Sequence, residues 1–293
     1  MPRTHLPGQR SRLWVIDLET GERRVVLESA DLLIEAPNWS PDGRDLVVNG
    51  DGRLFRIAAD GSQEHLTEID LAGVPEINND HVLSPDGATV FVSAEDGHIY
   101  AVPYAGGSHR RVTNDRGPDF HHYLHGISPD GALLAYIGLS RSADAVVTNV
   151  FTVPTEGGQD VQLTDDAFPD DGAEFSPDGA WVYFNSERAD TGAGHAQLFR
   201  MRPDGSDVEQ LTHDERVNWF PHVSPDGSMM AYVSFPAGTL GHPENLDVIL
   251  RLARPDGSDG RDLVYLFGGQ GTINVPSWAP DSRSLAYVDY PLA

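Results

Sequence analysis

A chain of 293 residues with 39% hydrophobic content and no cysteine can bury a large core, and it excludes disulfides, thiolate metal sites and a cysteine nucleophile. A net charge of −25 repels nucleic acid and anionic lipid at long range, so neither is expected as a partner.

The opening residues 1–12 lack the apolar run of a secretory signal, and no window approaches the ~20 apolar residues of a spanning helix. A soluble, cytoplasmic protein is expected. Two strand-like runs follow, 12–18 and 23–27, around the turn Glu19-Thr20-Gly21.

From there one tetrapeptide recurs. Ser-Pro-Asp-Gly begins at Ser40, Ser84, Ser128, Ser176 and Ser224, and a degenerate Ala-Pro-Asp-Ser begins at Ala279. The spacings are 44, 44, 48, 48 and 55. A period near 45 between strand-like flanks is that of propeller blades. In each copy an apolar residue precedes a tight turn: proline fixes φ, aspartate bonds its own backbone and glycine takes φ > 0. An apolar run, a third strand and a short fourth strand ending in Leu-Thr or Val-Thr follow, as at Leu66-Thr67 and Val112-Thr113. Repeats start near 36, 80, 124, 172, 220 and 275. The last supplies only two strands, and runs 12–18 and 23–27 complete it, since otherwise both ends would leave bare strand edges. The expectation is an all-β fold over residues 1–293: one six-bladed propeller of four-stranded antiparallel blades, closed by its N-terminal strands.

In such blades the first-to-second and third-to-fourth turns share one face, and here they are short and stereotyped. The links between blades and the second-to-third loops share the other face, and here they are irregular. Two of those loops are long, Glu187–Ala196 and Pro236–Asn245, and excess loop length is where function concentrates. The Gly-rich run 266–272 follows a strand instead of opening a helix, so no nucleotide or organic cofactor is expected.

The links feed the innermost strands, so their polar side chains converge at one mouth of the channel. His81 and His125 each stand three residues before their motif serine; His222 and Glu174 stand two before theirs. One reading makes His81, His125 and His222 ligands of a divalent metal (Mn, Zn, Fe or Ca), with Glu174 and His122 as acid and base. A second makes the histidines hydrogen-bonding members of a polar channel, and a third gives them metal-free acid–base chemistry. Asn79, Asp80, Tyr123, Asp171, Glu187, Arg188, Asn218, Trp219, His242 and Asn274 are the residues expected to meet a ligand. Arg188, Arg141 and Arg116 are the few cations near that face.

The Ser-Pro-Asp-Gly repeats, with their Leu-Thr and Pro-Asp-Gly-Ser punctuation, resemble the WD40-like PD40 repeats of TolB-type propellers over nearly the whole chain. The separate N-terminal domain of TolB has no counterpart in these residues, so its envelope role is not implied. More loosely, Asn79-Asp80-His81-Val82-Leu83-Ser84-Pro85 and Trp219-Phe220-Pro221-His222-Val223-Ser224-Pro225 resemble segments of the oligogalacturonate lyase propellers. In that family channel-mouth histidines hold a Mn²⁺-like ion, and proton abstraction beside a uronate carboxylate leads to elimination. The resemblance implies a metal-dependent lyase or hydrolase acting on a saccharide. The alternative is a non-catalytic propeller that holds a protein or peptide across the same face.

Overall fold

The computed structural model describes residues 3–189 and 192–292; residues 1, 2, 190, 191 and 293, including two positions of the loop Glu187–Ala196, lie outside that set. The repeated tetrapeptide folds as one bonded turn. Ser128 Oγ donates to Asp130 Oδ1 (2.6 Å) and accepts from the Leu133 N–H (2.9 Å), while Asp130 Oδ1 also accepts from the Ala132 N–H (3.0 Å). The same serine-to-aspartate bond forms at Ser40, Ser84, Ser176 and Ser224. Gly131 sits at φ 73°, which a side chain would strain. These bonds hold the Asp130 carboxyl below its ordinary value, and the aspartate is a turn former.

Five four-stranded antiparallel sheets follow one another. Their innermost strands are Glu35–Trp39, Ile77–Leu83, Phe120–Ile127, Asp170–Phe175 and Val217–Val223, for blades one to five. The sixth blade combines Ser284–Asp289 with Ser11–Asp17 and Arg23–Ser29, and a bridge from Trp278 to Leu285 marks its inner edge. Closure is antiparallel, Arg12 opposite Asp289 through Asp17 opposite Ser284. The Arg12 guanidinium grips Asp289 through two bonds (2.9 and 2.6 Å), and Trp14 Nε1 donates to the same carboxylate (3.0 Å).

The core is divided among the wedges between blades. Between blades two and three, Val82 and Phe91 pack with Leu124, Tyr136 and Phe151. The axis is left to polar links, which is why burial can bring charged groups together there. Each of the five inner strands breaks its register just before the motif. Ala36, Gly172 and Phe220, each four residues before a motif serine, take positive φ at 52°, 66° and 56°. Such bulges re-aim side chains at the channel.

Candidate functional site

The bulge divides each link by function. The residues five before the motif are Glu35, Asn79, Tyr123, Asp171, Trp219 and Asn274, one from each blade. All but Trp219, which packs into the core behind, ring the mouth. One position earlier, the side chains of His122, Asp170 and Asn218 are buried within the blades, whereas Asn78 of blade two still faces the mouth. The alternation of a pleated strand accounts for this split.

Inside the ring lies a cavity of about 330 Å³. Asn79, Asp80, Tyr123, His125, Asp171, His242 and Asn274 line it, with Asn78, Thr148 and Gln270 adding polar atoms and Ile137, Leu139 and Phe220 an apolar side. His125 is its centre. Nε2 donates to Asp171 Oδ1 of the next blade (2.9 Å), and Nδ1 donates across the channel to the Asn274 carbonyl (3.2 Å). His242 reaches Asp171 Oδ2 at 3.4 Å and donates through Nδ1 to Gln270 Oε1, which also accepts from Asn274 Nδ2 (3.0 Å). Asn78 Nδ2 donates to Asp80 Oδ2 (2.6 Å).

Burial alone would depress the His125 imidazole, but Asp80 and Asp171 raise its pKa to about 9. Burial pushes Asp80 up to about 6, with His125 opposing and Asp171 reinforcing. Against the same burial, His125 and His242 hold Asp171 well below the carboxylate range. The cavity therefore holds an imidazolium between one firmly ionised carboxylate and one that exchanges a proton near neutrality.

Residues 126–245 match the TolB β-propeller domain of the PD40 family. A curated relative, an uncharacterised protein of Agrobacterium fabrum, is 40% identical over 292 residues, covering 97% of this chain and 94% of its own. A solved structure from Agrobacterium tumefaciens, described as a candidate TolB, is 38% identical with a TM-score of 0.87, covering 97% of this chain and 99% of that one. The chain belongs to the TolB-type β-propeller family. An oligogalacturonate lyase solved with manganese shares the architecture at 16% identity and a TM-score of 0.59, over 91% of this chain and 73% of that one.

Of the residues expected at the mouth of this TolB-type propeller, Asn79, Asp80, Tyr123, His125, Asp171, His242 and Asn274 come together. The others do not line the cavity. The trio His81, His125 and His222 does not form a cage: among the described residues no group of three or more His, Asp or Glu side chains is placed to hold an ion. His81 turns toward the Val47 carbonyl of the preceding blade (3.4 Å), and burial lowers its pKa to about 4. His222, one register position later, is clamped between Glu174 Oε2 and the Ile273 carbonyl, so both its ring nitrogens and the Glu174 carboxylate serve the wedge between blades. His122 bonds the Gly97 carbonyl (2.6 Å) against Phe120 and Tyr136, and burial takes it down to about 4.

Glu187 accepts from the Gly194 N–H (2.7 Å), and Arg188 is held on Asp170 (2.9 Å) and Asp166 (3.3 Å). Arg116 stacks on Phe120 and pairs with Asp160. Asn218 is buried, accepting from Ser234 Oγ (2.7 Å) and donating to Asp214 (3.1 Å). Trp219 backs the cavity from behind, its ring 4.5 Å from His242. Sequence reasoning passed over Asn78, Thr148, Ile137 and Leu139. The last three come from blade three, whose second and third strands run nine residues each, against six each in blade one. The 48-residue spacing after Ser128 was the available signal.

Proposed function

We propose that this propeller takes a saccharide-sized, polyhydroxylated molecule into the mouth cavity and moves a proton there, as a hydrolase or lyase. The observation that carries this reading is that His125, bonded to Asp171 (2.9 Å), and Asp80 line one cavity at the channel mouth. Asp80, titrating at about 6, is the group suited to give or take a proton near neutral pH. His125 and Asp171 hold its electrostatic surroundings fixed. Phe220, Ile137 and Leu139 offer a sugar its apolar side, and Asn79, Tyr123, Gln270 and Asn274 offer hydroxyl partners. Among the described residues no Arg or Lys lines the cavity. This favours hydrolysis of a neutral sugar over elimination from a uronate, because an anion would face two carboxylates unpaired and a neutral sugar lacks the carboxylate that acidifies the proton lost in elimination. The shared architecture with a propeller named as a lyase makes saccharides the first class to screen.

The test is a panel of neutral and acidic oligosaccharides, read by thermal shift and product detection. A neutral sugar should stabilise the protein and be turned over, and Asp80→Asn should keep binding while losing turnover. Turnover that survives in D80N, or a panel without any stabilising sugar, would sink the reading.

A second reading, a protein or peptide held across this face, draws support from Leu240 and Phe168, which stand 72% and 46% exposed on its loops. A partner that copurifies equally with wild type and Leu240→Asp would count against it.

A further inference from the structure

Beside the acid–base cavity lies a wider one of about 520 Å³, whose walls carry the carboxylates of Glu35, Asp51, Glu95 and Glu244. One guanidinium sits in it, that of Arg3. Its NH1 donates to Glu35 Oε1 (3.1 Å) and to the Gln270 carbonyl (2.6 Å), and its NH2 donates to Asn245 Oδ1 (3.3 Å). The guanidinium carbon lies 4.1 Å from the centre of the buried Tyr290 ring. Acceptors for NH1 and NH2 and an aromatic platform suit a planar fork of donors better than a spherical ammonium, although the Arg3 Nε is buried without a partner among the described residues.

The receptor side of this contact belongs to the rigid ring, and Arg3 to a segment ahead of the first strand. Glu35 stands in the mouth ring, and burial pushes its carboxyl up while Arg3 opposes that rise. Asn49 lines the same cavity, is 4% exposed, donates to Glu35 Oε2 (3.4 Å) and leaves its Oδ1 without a partner among the described residues. A buried acceptor left empty beside a held cation is a place for a further donor.

We propose that this outer cavity is a recognition site for an exogenous guanidinium-bearing ligand, and that Arg3 occupies it as the chain's own stand-in until such a ligand displaces it. The site shares Gln270, Asn78 and Asn79 with the acid–base cavity but uses a separate set of charges, so either assignment stands without the other.

The experiment uses the full chain, with methylguanidinium as probe and tetramethylammonium as a cation of equal charge that cannot donate. Arg3→Ala should lower the melting midpoint, and millimolar methylguanidinium should restore it while tetramethylammonium does not. By calorimetry R3A should bind methylguanidinium about tenfold more tightly than wild type, which still carries its competitor. Adding Glu35→Gln, or Asn245→Ala where the first double variant fails to fold, should remove that gain. Equal rescue by both cations would reduce the site to general acidity and overturn the proposal. So would wild-type affinity equal to that of R3A, or a double variant that keeps the gain.

Discussion

Replacing Asp171 by asparagine tests the electrostatics of the mouth most directly. The substitution keeps the shape of the side chain and removes the charge that His125 Nε2 meets at 2.9 Å. His125 titrates at about 9 against an ordinary 6.5. At about 1.4 kcal/mol per pH unit, that difference corresponds to about 3 kcal/mol of stability, shared between Asp171 and Asp80. The sign follows from which state holds the proton more tightly. The folded chain does, so the contribution is complete below pH 6.5 and is lost as pH rises through about 9. D171N should therefore cost about 2 kcal/mol at pH 6 in urea unfolding and much less at pH 10. Imidazole NMR should show His125 titrating far lower in the variant than in wild type. A stability loss equal at both pH values, or a wild-type His125 that titrates near 6.5, would refute the paired-carboxylate account.

Three further outcomes follow from the geometry. His222→Ala strands the Glu174 carboxyl and the Ile273 carbonyl in the wedge and should cost about 3 kcal/mol. Because protein atoms take both its nitrogens, Mn²⁺ or Zn²⁺ should leave the melting midpoint unchanged in wild type and variant alike; a metal-dependent rise lost in H222A would contradict this. Ser128→Ala removes one donor and one acceptor from a repeat turn and should cost about 1–2 kcal/mol by chemical denaturation, with no change in ligand binding. Gly138→Ala places a methyl 2.5 Å from the Phe151 ring and 2.6 Å from Phe120, and should lower stability by about 1–3 kcal/mol in a thermal melt; an unaltered midpoint would mean that the blade-three aromatics repack freely.

The ring was legible because its information is local. Each Ser-Pro-Asp-Gly carries its own turn chemistry, and the strand complement at the two ends leaves one way to satisfy every edge. The mouth face was legible for the same reason, since link length is visible in the chain. The histidine trio was not, because counting from the motif assumes an unbroken strand. The register break before each motif sends His81 to its neighbour's backbone and His222 into a wedge, while His125 alone crosses the channel. Nor does the sequence announce that Asp171 from blade four meets His125 from blade three, or that Gln270 reaches both His242 and Asn274. Those contacts exist only once the blades are wound around an axis. Arg3 lies in a segment without strand or motif signal, and its contacts depend on Glu35, Tyr290 and Gln270, far from it along the chain.

The shared sixth blade also imposes a timetable. Arg12 is synthesised well before the carboxylate that receives it, Asp289, which follows 277 residues later. At about 5–20 residues per second, the first hairpin waits tens of seconds with one open edge, which any passing strand could capture. Of all its strands, the one that locks the circle spends longest without its partner.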